Sequence, residues 1–199
     1  PWVDVDSDGS YDPLPAGNDY PEFHGNQVIW YVSNDGDTTA HSIFNTIPLG
    51  VEVQTTIFGF DRHEAFGDMM FVKELIINKG GNTIDSMYIG LWSDPDLGDA
   101  GDDFVGCDTL LSLGYCYNDG ADNDFGVDVP AIGYDFFQGP IVASTGEDTA
   151  FAFGKYIPGY KNLEMSSFVK YINSDPVYTD PNDAQEAYNY MSGYLRDGK

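Results

Sequence analysis

Basic residues are nearly missing from this chain. Only 8 of its 199 residues are Lys or Arg, against 33 Asp and Glu, which leaves a formal charge of −25. Between Lys79 and Lys155 there is no other cation, yet that interval carries 14 carboxylates. Such a surface repels phosphate backbones and anionic lipid headgroups, which excludes nucleic acid and membrane surfaces as partners. Long apolar runs are missing too: none approaches the roughly 20 residues of a membrane-spanning helix, so no membrane insertion is expected. The three histidines, His24, His41 and His63, are scattered. No HExxH, GxSxG or P-loop pattern occurs, and catalysis is not expected. A pair of carboxylates could serve a glycosidase, but with 33 acids present a pair carries no signal.

What is present argues for a folded chain. Hydrophobic residues make up 42% and aromatics 15%, too much apolar surface for a disordered acidic tail. The length suits one large domain or two small ones. Of the 33 acids, 26 are Asp. Its short side chain bonds back to nearby backbone and suits turns. Mixed with Gly and Asn, it is what calcium-binding loops use, since calcium takes six to eight oxygens around a tight bend. Adaptation to salt also enriches Asp and depletes Lys, but would scatter the carboxylates. Here they bunch.

The pattern reads as mainly β: an antiparallel β-sandwich, jelly-roll or immunoglobulin-like, with long acidic loops and one C-terminal helix. Strands are expected at residues 27–32, 49–60, 69–78 and 83–92, the last two joined as a hairpin through Lys79-Gly80-Gly81-Asn82. Further strands are expected at 109–117, 131–137, 149–153 and 165–172. A helix is expected over 182–195, capped by Asp180 with Pro181 at its first position. Tyr188, Met191 and Leu195 give it one apolar stripe. The organisation expected is an acidic calcium-loop lead-in at 1–26, a β-sandwich domain at 27–175 and a C-terminal helix at 176–199. The opening residues lack a signal peptide's basic and apolar regions, and the chain ends just past the helix. It therefore reads as mature protein or a piece of something longer.

Three acidic loops are candidate metal sites. The first, Asp4-Val5-Asp6-Ser7-Asp8-Gly9-Ser10-Tyr11-Asp12, matches D-x-D-x-D-G. Asp4, Asp6 and Asp8 stand at ligand positions 1, 3 and 5, Gly9 at the sharp turn, and Asp12 at position 9. Ser10 would offer its backbone carbonyl at position 7. The twelfth position, normally a bidentate Glu, is Pro15, so the loop is no complete EF-hand; Asp19 or Glu22 could close the shell. The second loop offers Asp94, Asp96, Asp99 and Asp102, with Asp103 and Asp108 as additions. So many uncompensated carboxylates repel one another unless a dication is bound. The third, with Asp119, Asp122 and Asp124, either completes the second site or forms a plain turn. Hard oxygen donors without thiolate or imidazole clusters favour Ca2+ over zinc or copper.

Cys107 and Cys116 are the only cysteines. An even count suits a disulfide in an exported protein, worth roughly 2–3 kcal/mol for so short a loop; two buried thiols are the alternative. Trp30 and Trp92 are candidate ligand-face aromatics for a carbohydrate-binding surface, although core packing is the default for such residues.

Several segments taken together carry a resemblance: PWVDVDSDG at 1–9, QVIWYVSND at 27–35, PLGVEVQTT at 48–56, IINKGGNTI at 76–84, GLWSDPDLGD at 90–99, GCDT at 106–109 and GYDFFQGP at 133–140. They resemble large uncharacterised exported surface proteins of Bacteroidetes-like bacteria, which commonly end in a type IX secretion sorting domain. The resemblance implies export to the cell surface or medium and membership of a longer multidomain protein, and says nothing about substrate. The expectation is thus a calcium-stabilised extracellular structural, adhesive or assembly module. Its partners would be neighbouring domains of the same chain, with self-association or a surface glycan as further options. The alternatives are a carbohydrate-binding or hydrolase-accessory module and a salt-adapted domain without metal.

Overall fold

The computed structural model describes residues 2–13, 15 and 17–199. It divides into two units, Pro1–Asp85 and Ser86–Lys199. The chain is mainly β; among the described residues every strand pair is antiparallel and a single α-helix lies near the C-terminus. The strands are spread over five small sheets, two of three strands and three of two. Among the described residues no helix is long and apolar enough to cross a membrane.

The first unit begins with a short pair, β1 (Trp2–Val3) and β2 (Tyr20–Pro21), which registers Trp2 against Pro21 and Val3 against Tyr20. That pair closes the neck of the first acidic loop. A meander follows: β3 (Gln27–Asn34), β4 (Val51–Gly59) and β5 (Met70–Asn78), with β4 in the centre. Alternation of Val51, Val53, Thr55 and Ile57 makes β4 a good central strand, and Thr55 and Thr56 are its most buried residues. The long β3–β4 connection is tied by Asp35, whose carboxylate accepts N–H groups from Leu49, Gly50 and Val51. Phe58, Phe60, Phe66 and Phe71 cluster at the other end of the sheet.

The expected hairpin between residues 69–78 and 83–92 does not form. Instead β5 spends its ladder on β4 in full register, Val51 opposite Asn78 through Gly59 opposite Met70. The Lys79-Gly80 turn is held against the start of β4, with Lys79 N–H donating to the Gly50 carbonyl at 2.8 Å. A Cβ on Gly80 would stand 2.6 Å from the Leu49 carbonyl oxygen, so only glycine allows this approach. Residues 83–92 run without strand structure.

In the second unit β6 (Asp103–Asp108), β7 (Leu113–Asn118) and β8 (Ile132–Asp135) form a three-stranded sheet. The β6–β7 turn is organised by Asp108, whose carboxylate accepts from the N–H groups of Leu110 and Leu111. Residues 109–112 are therefore a hairpin tip, and the strand expected from 109 starts at Leu113. β9 (Ile141–Ala143) pairs with β12 (Tyr160–Asn162), and β10 (Thr149–Ala152) with β11 (Lys155–Pro158). The two-residue Phe153-Gly154 link has φ of 54° and 71°, the doubly left-handed turn that matches strand twist.

Residues 165–172 are not a strand. They lie as extended chain whose Phe168 ring covers Gly114, and whose Ser167 hydroxyl donates to the Tyr190 carbonyl. The helix, α1 (Ala184–Met191), is shorter than expected at both ends. Asp183 rather than Asp180 caps it, accepting from Glu186 N–H at 2.9 Å. It stops at Met191 because Ser192 leaves the helical conformation and Gly193 takes a φ of 89°. Tyr190 anchors it: the side chain is buried, and its hydroxyl donates to the carbonyls of Val177 and Thr179. Among the described residues the buried apolar ones are few, namely Leu97, Cys116, Ala150, Ala152 and Tyr190.

Candidate metal centre

The first acidic loop folds on its own carboxylates. Asp4 accepts N–H groups from Ser7, Asp8 and Gly9, Asp6 accepts from Asp8, and Asp8 accepts from Ser10. These are the local side-chain-to-backbone bonds that Asp makes in turns. Ser7 and Gly9 take positive φ, 65° and 81°, which curls the segment so that alternate side chains point inward. One carboxylate oxygen from each of Asp4, Asp6 and Asp19 lies within 4.8 Å of the others, and the same holds for Asp6, Asp8 and Asp12. Among the described residues these are the two groups of three or more His, Cys, Asp or Glu so arranged.

Asp19 is the closing residue from further along the chain, and it is 4% exposed. Its two oxygens accept from Val5 N–H at 2.8 Å and Asp12 N–H at 3.1 Å, so it ties both arms of the loop together. The Val5 N–H, with that of Asp12, holds the Asp19 carboxyl below its ordinary value, against the opposing effect of burial. Asp12 behaves oppositely. Loss of surrounding water pushes its carboxyl up, and Asp19, Asp6 and Asp8 push it the same way. Its Oδ1 is buried without a hydrogen-bond partner. Gly17 makes that position accessible: a Cβ there would lie 2.1 Å from Asp12 Oδ1. An unpaired buried oxygen among three other carboxylates is what a hard dication relieves, and the donor set is all oxygen. Glu22, the other closing candidate, instead faces His24 Nε2 at 3.6 Å.

The second and third loops come together, but around backbone. Asp122, 4% exposed, accepts N–H groups from Asp99, Asp124 and Phe125. The Asp99 N–H, followed by that of Phe125, lowers its carboxyl below the ordinary value. A Cβ on Gly98 would stand 2.4 Å from Asp122 Oδ1, so Gly98 is what lets the two loops dock. Asp99 accepts from Gly101 N–H and from the Asn123 side chain, and Asp103 Oδ2 from Leu97 N–H. Asp108 serves its hairpin turn. Asp94, Asp96, Asp119 and Asp124 are exposed. The oxygens left over are Asp103 Oδ1 and Asn118 Oδ1, both buried without a hydrogen-bond partner on directly opposed residues of β6 and β7. Asp102 borders them through a 2.6 Å bond from Asn118 Nδ2. Asn118 opens the third acidic loop in sequence, but only cross-strand register brings it to Asp103.

Both cysteines are free thiols, so the bridge expected between them is not formed. Cys107 stands opposite Gly114 and Cys116 opposite Val105. They are diagonal neighbours, a wider Cα separation than directly opposed residues have. Burial pushes both thiols up, with Asp108 beside Cys107 and Asp103 beside Cys116 adding to it, which makes them poor nucleophiles. Trp30 lies in the first unit and Trp92 in the second, and both are exposed. No protein-family model, curated protein or solved structure matches the chain.

Proposed function

We propose that this chain is a calcium-stabilised structural, adhesive or assembly module of an exported surface protein, without catalytic function. The observation that carries the metal reading is the convergence of Asp4, Asp6, Asp8, Asp12 and Asp19, with one Asp12 oxygen left buried and unpaired. Calcium bound there would neutralise the repulsion that raises the Asp12 carboxyl and would lock the loop across the β1–β2 neck.

The assembly reading is supported by surface. The accessible area is 14452 Å2. A compact monomer of 21.9 kDa would expose roughly 9,300 Å2, and two separately compact units of these lengths together about 11,000 Å2. Large apolar side chains are among those uncovered, Ile43 at 86% and Leu110 at 95% exposed, and a module of this kind suits neighbouring domains or partners that cover them. Export remains part of the proposal through the family resemblance.

Calorimetric titration of calcium into metal-stripped protein tests the site. Saturable binding is expected in the parent, and a loss of at least ten-fold in affinity in Asp4→Asn and Asp19→Asn. Asp94→Asn should bind as the parent does. Equal binding by all four proteins would refute the assignment to this loop, and no binding by the parent would refute calcium altogether.

A further inference from the structure

Beside the acidic loop lies a groove of about 380 Å3, lined by Trp2, Tyr11, Phe23, Val28, Trp30 and Thr56, with Pro21 and Glu22 at its edge. It is built by two elements of the first unit. Val28, Trp30 and Thr56 stand on one face of the β3–β4 ladder, where Trp30 is directly opposite Thr56 and Val28 opposite Phe58. Trp2 and Tyr11 bracket the acidic loop, and their rings meet edge to face with centroids 5.5 Å apart. The aromatic walls are far from sealed: Trp30 is 47% exposed and Tyr11 48%.

The charge lining this groove is negative. Glu22 is the only ionisable side chain with a full charge among its lining residues. Asp4, Asp6 and Asp8 lie between Trp2 and Tyr11 in sequence, and Asp12 follows directly. The Lys and Arg residues of the unit are Arg62, Lys73 and Lys79, and none lines the groove; His24 stands beside it, with Nε2 3.6 Å from the Glu22 carboxylate. Arg62 sits over the Phe60 ring at 5.8 Å and Lys79 pairs with Glu52 at 3.6 Å. Open aromatic faces in a negative field attract a planar cation on an apolar stem. Arginine fits that description better than lysine, because its guanidinium stacks flat on a ring while still donating to a carboxylate.

We infer that this groove is a docking site for an arginine-bearing segment of a partner protein, the guanidinium stacking on Trp30 or Tyr11 and donating to Glu22. Glu22 takes no part in the loop's carboxylate groups, so its contact with the guanidinium does not depend on calcium, whereas the surrounding negative field is greatest in the metal-free protein. The titration is therefore run in excess EGTA.

The probe is an acetylated, amidated hexapeptide holding two arginines among glycine, proline and leucine, titrated into the full chain at 0.15 M salt (an ordinary ionic strength) and followed by tryptophan emission and calorimetry. The expected result is saturable binding that falls at least ten-fold when both arginines are replaced by citrulline, which keeps shape but not charge. Trp30→Ala should weaken binding by a similar factor, Glu22→Gln by several-fold, and Trp92→Ala not at all. Equal binding of the citrulline peptide overturns the proposal, and that comparison needs no variant. Binding lost with charge but indifferent to Trp30→Ala would mean general attraction to the acidic surface, and overturns it too. Saturable binding of a neutral oligosaccharide such as cellohexaose, with none of the peptide, would assign the groove to a glycan instead.

Discussion

Removing calcium should unlock one unit of the chain and leave the other alone. The first loop lacks the bidentate Glu of a high-affinity site, and the oxygens of Asp4, Asp6 and Asp8 are already shared with backbone N–H groups. That places it with the weaker extracellular modules, for which a Kd of about 10⁻⁴ M is at the tight end. At 2 mM calcium, mass action then adds about 1.8 kcal/mol to the folded state. For a unit the size of Pro1–Asp85 that corresponds to a rise of about 7–14 °C in melting temperature. The assay is a thermal melt of a Trp92→Phe variant, in which emission comes only from Trp2 and Trp30 of the first unit, run beside calorimetry of the whole chain. The transition seen by tryptophan should move by that amount between calcium and excess EGTA, while a transition of Ser86–Lys199 stays put. An equal shift with sodium at matched ionic strength would favour the salt-adapted alternative, and no shift would refute the metal reading.

Gly17→Ala should cost the loop at least ten-fold in calcium affinity, measured by titration, because its Cβ would occupy the space beside Asp12 Oδ1. Asp122→Ala should lower the melting temperature of the second unit by far more than Asp119→Ala, since it strips three backbone N–H groups of their acceptor; calcium stoichiometry should not change. In acid, two opposite shifts should separate. The carboxyls of Asp19, Asp35 and Asp122 lie below their ordinary value, so their stabilisation is present above the unfolded-state value and is lost as pH falls through the lower folded values. Asp12 is raised, so it takes up its proton first on acidification. The calcium-dependent rise in melting temperature should therefore fade at a higher pH than the general acid unfolding, which melts at stepped pH with and without calcium would show.

Much of the local structure was legible in the residue order. The D-x-D-x-D-G run at residues 4–9 implied a curled loop with inward carboxylates. The alternating residues of β4 marked a strand, and the acidic turns marked the ends of sheets. Asp19 was among the residues named to close the loop, because short Asp side chains act near their own place in the chain. These are short-range effects, in which a side chain and its neighbours within a few residues settle the outcome.

Partners far apart in the chain were not legible. Residues 83–92 looked ready to pair with β5, but β5 pairs with β4 alone, and the close approach of Gly80 to Leu49 turns the chain back toward the start of β4. Asp99 and Asp122 looked alike as ligand candidates until docking of the two loops buried Asp122 under three backbone N–H groups and left Asp99 exposed, with neither in a group of three converging carboxylates. Cys107 and Cys116 had bridging separation in sequence, but register set them diagonally. The sequence by itself determined that this chain is acidic, antiparallel β, and furnished with loops of calcium-type spacing. Tertiary structure alone decided which carboxylates converge within reach of one ion and which are held apart, because that depends on which segments the fold brings alongside.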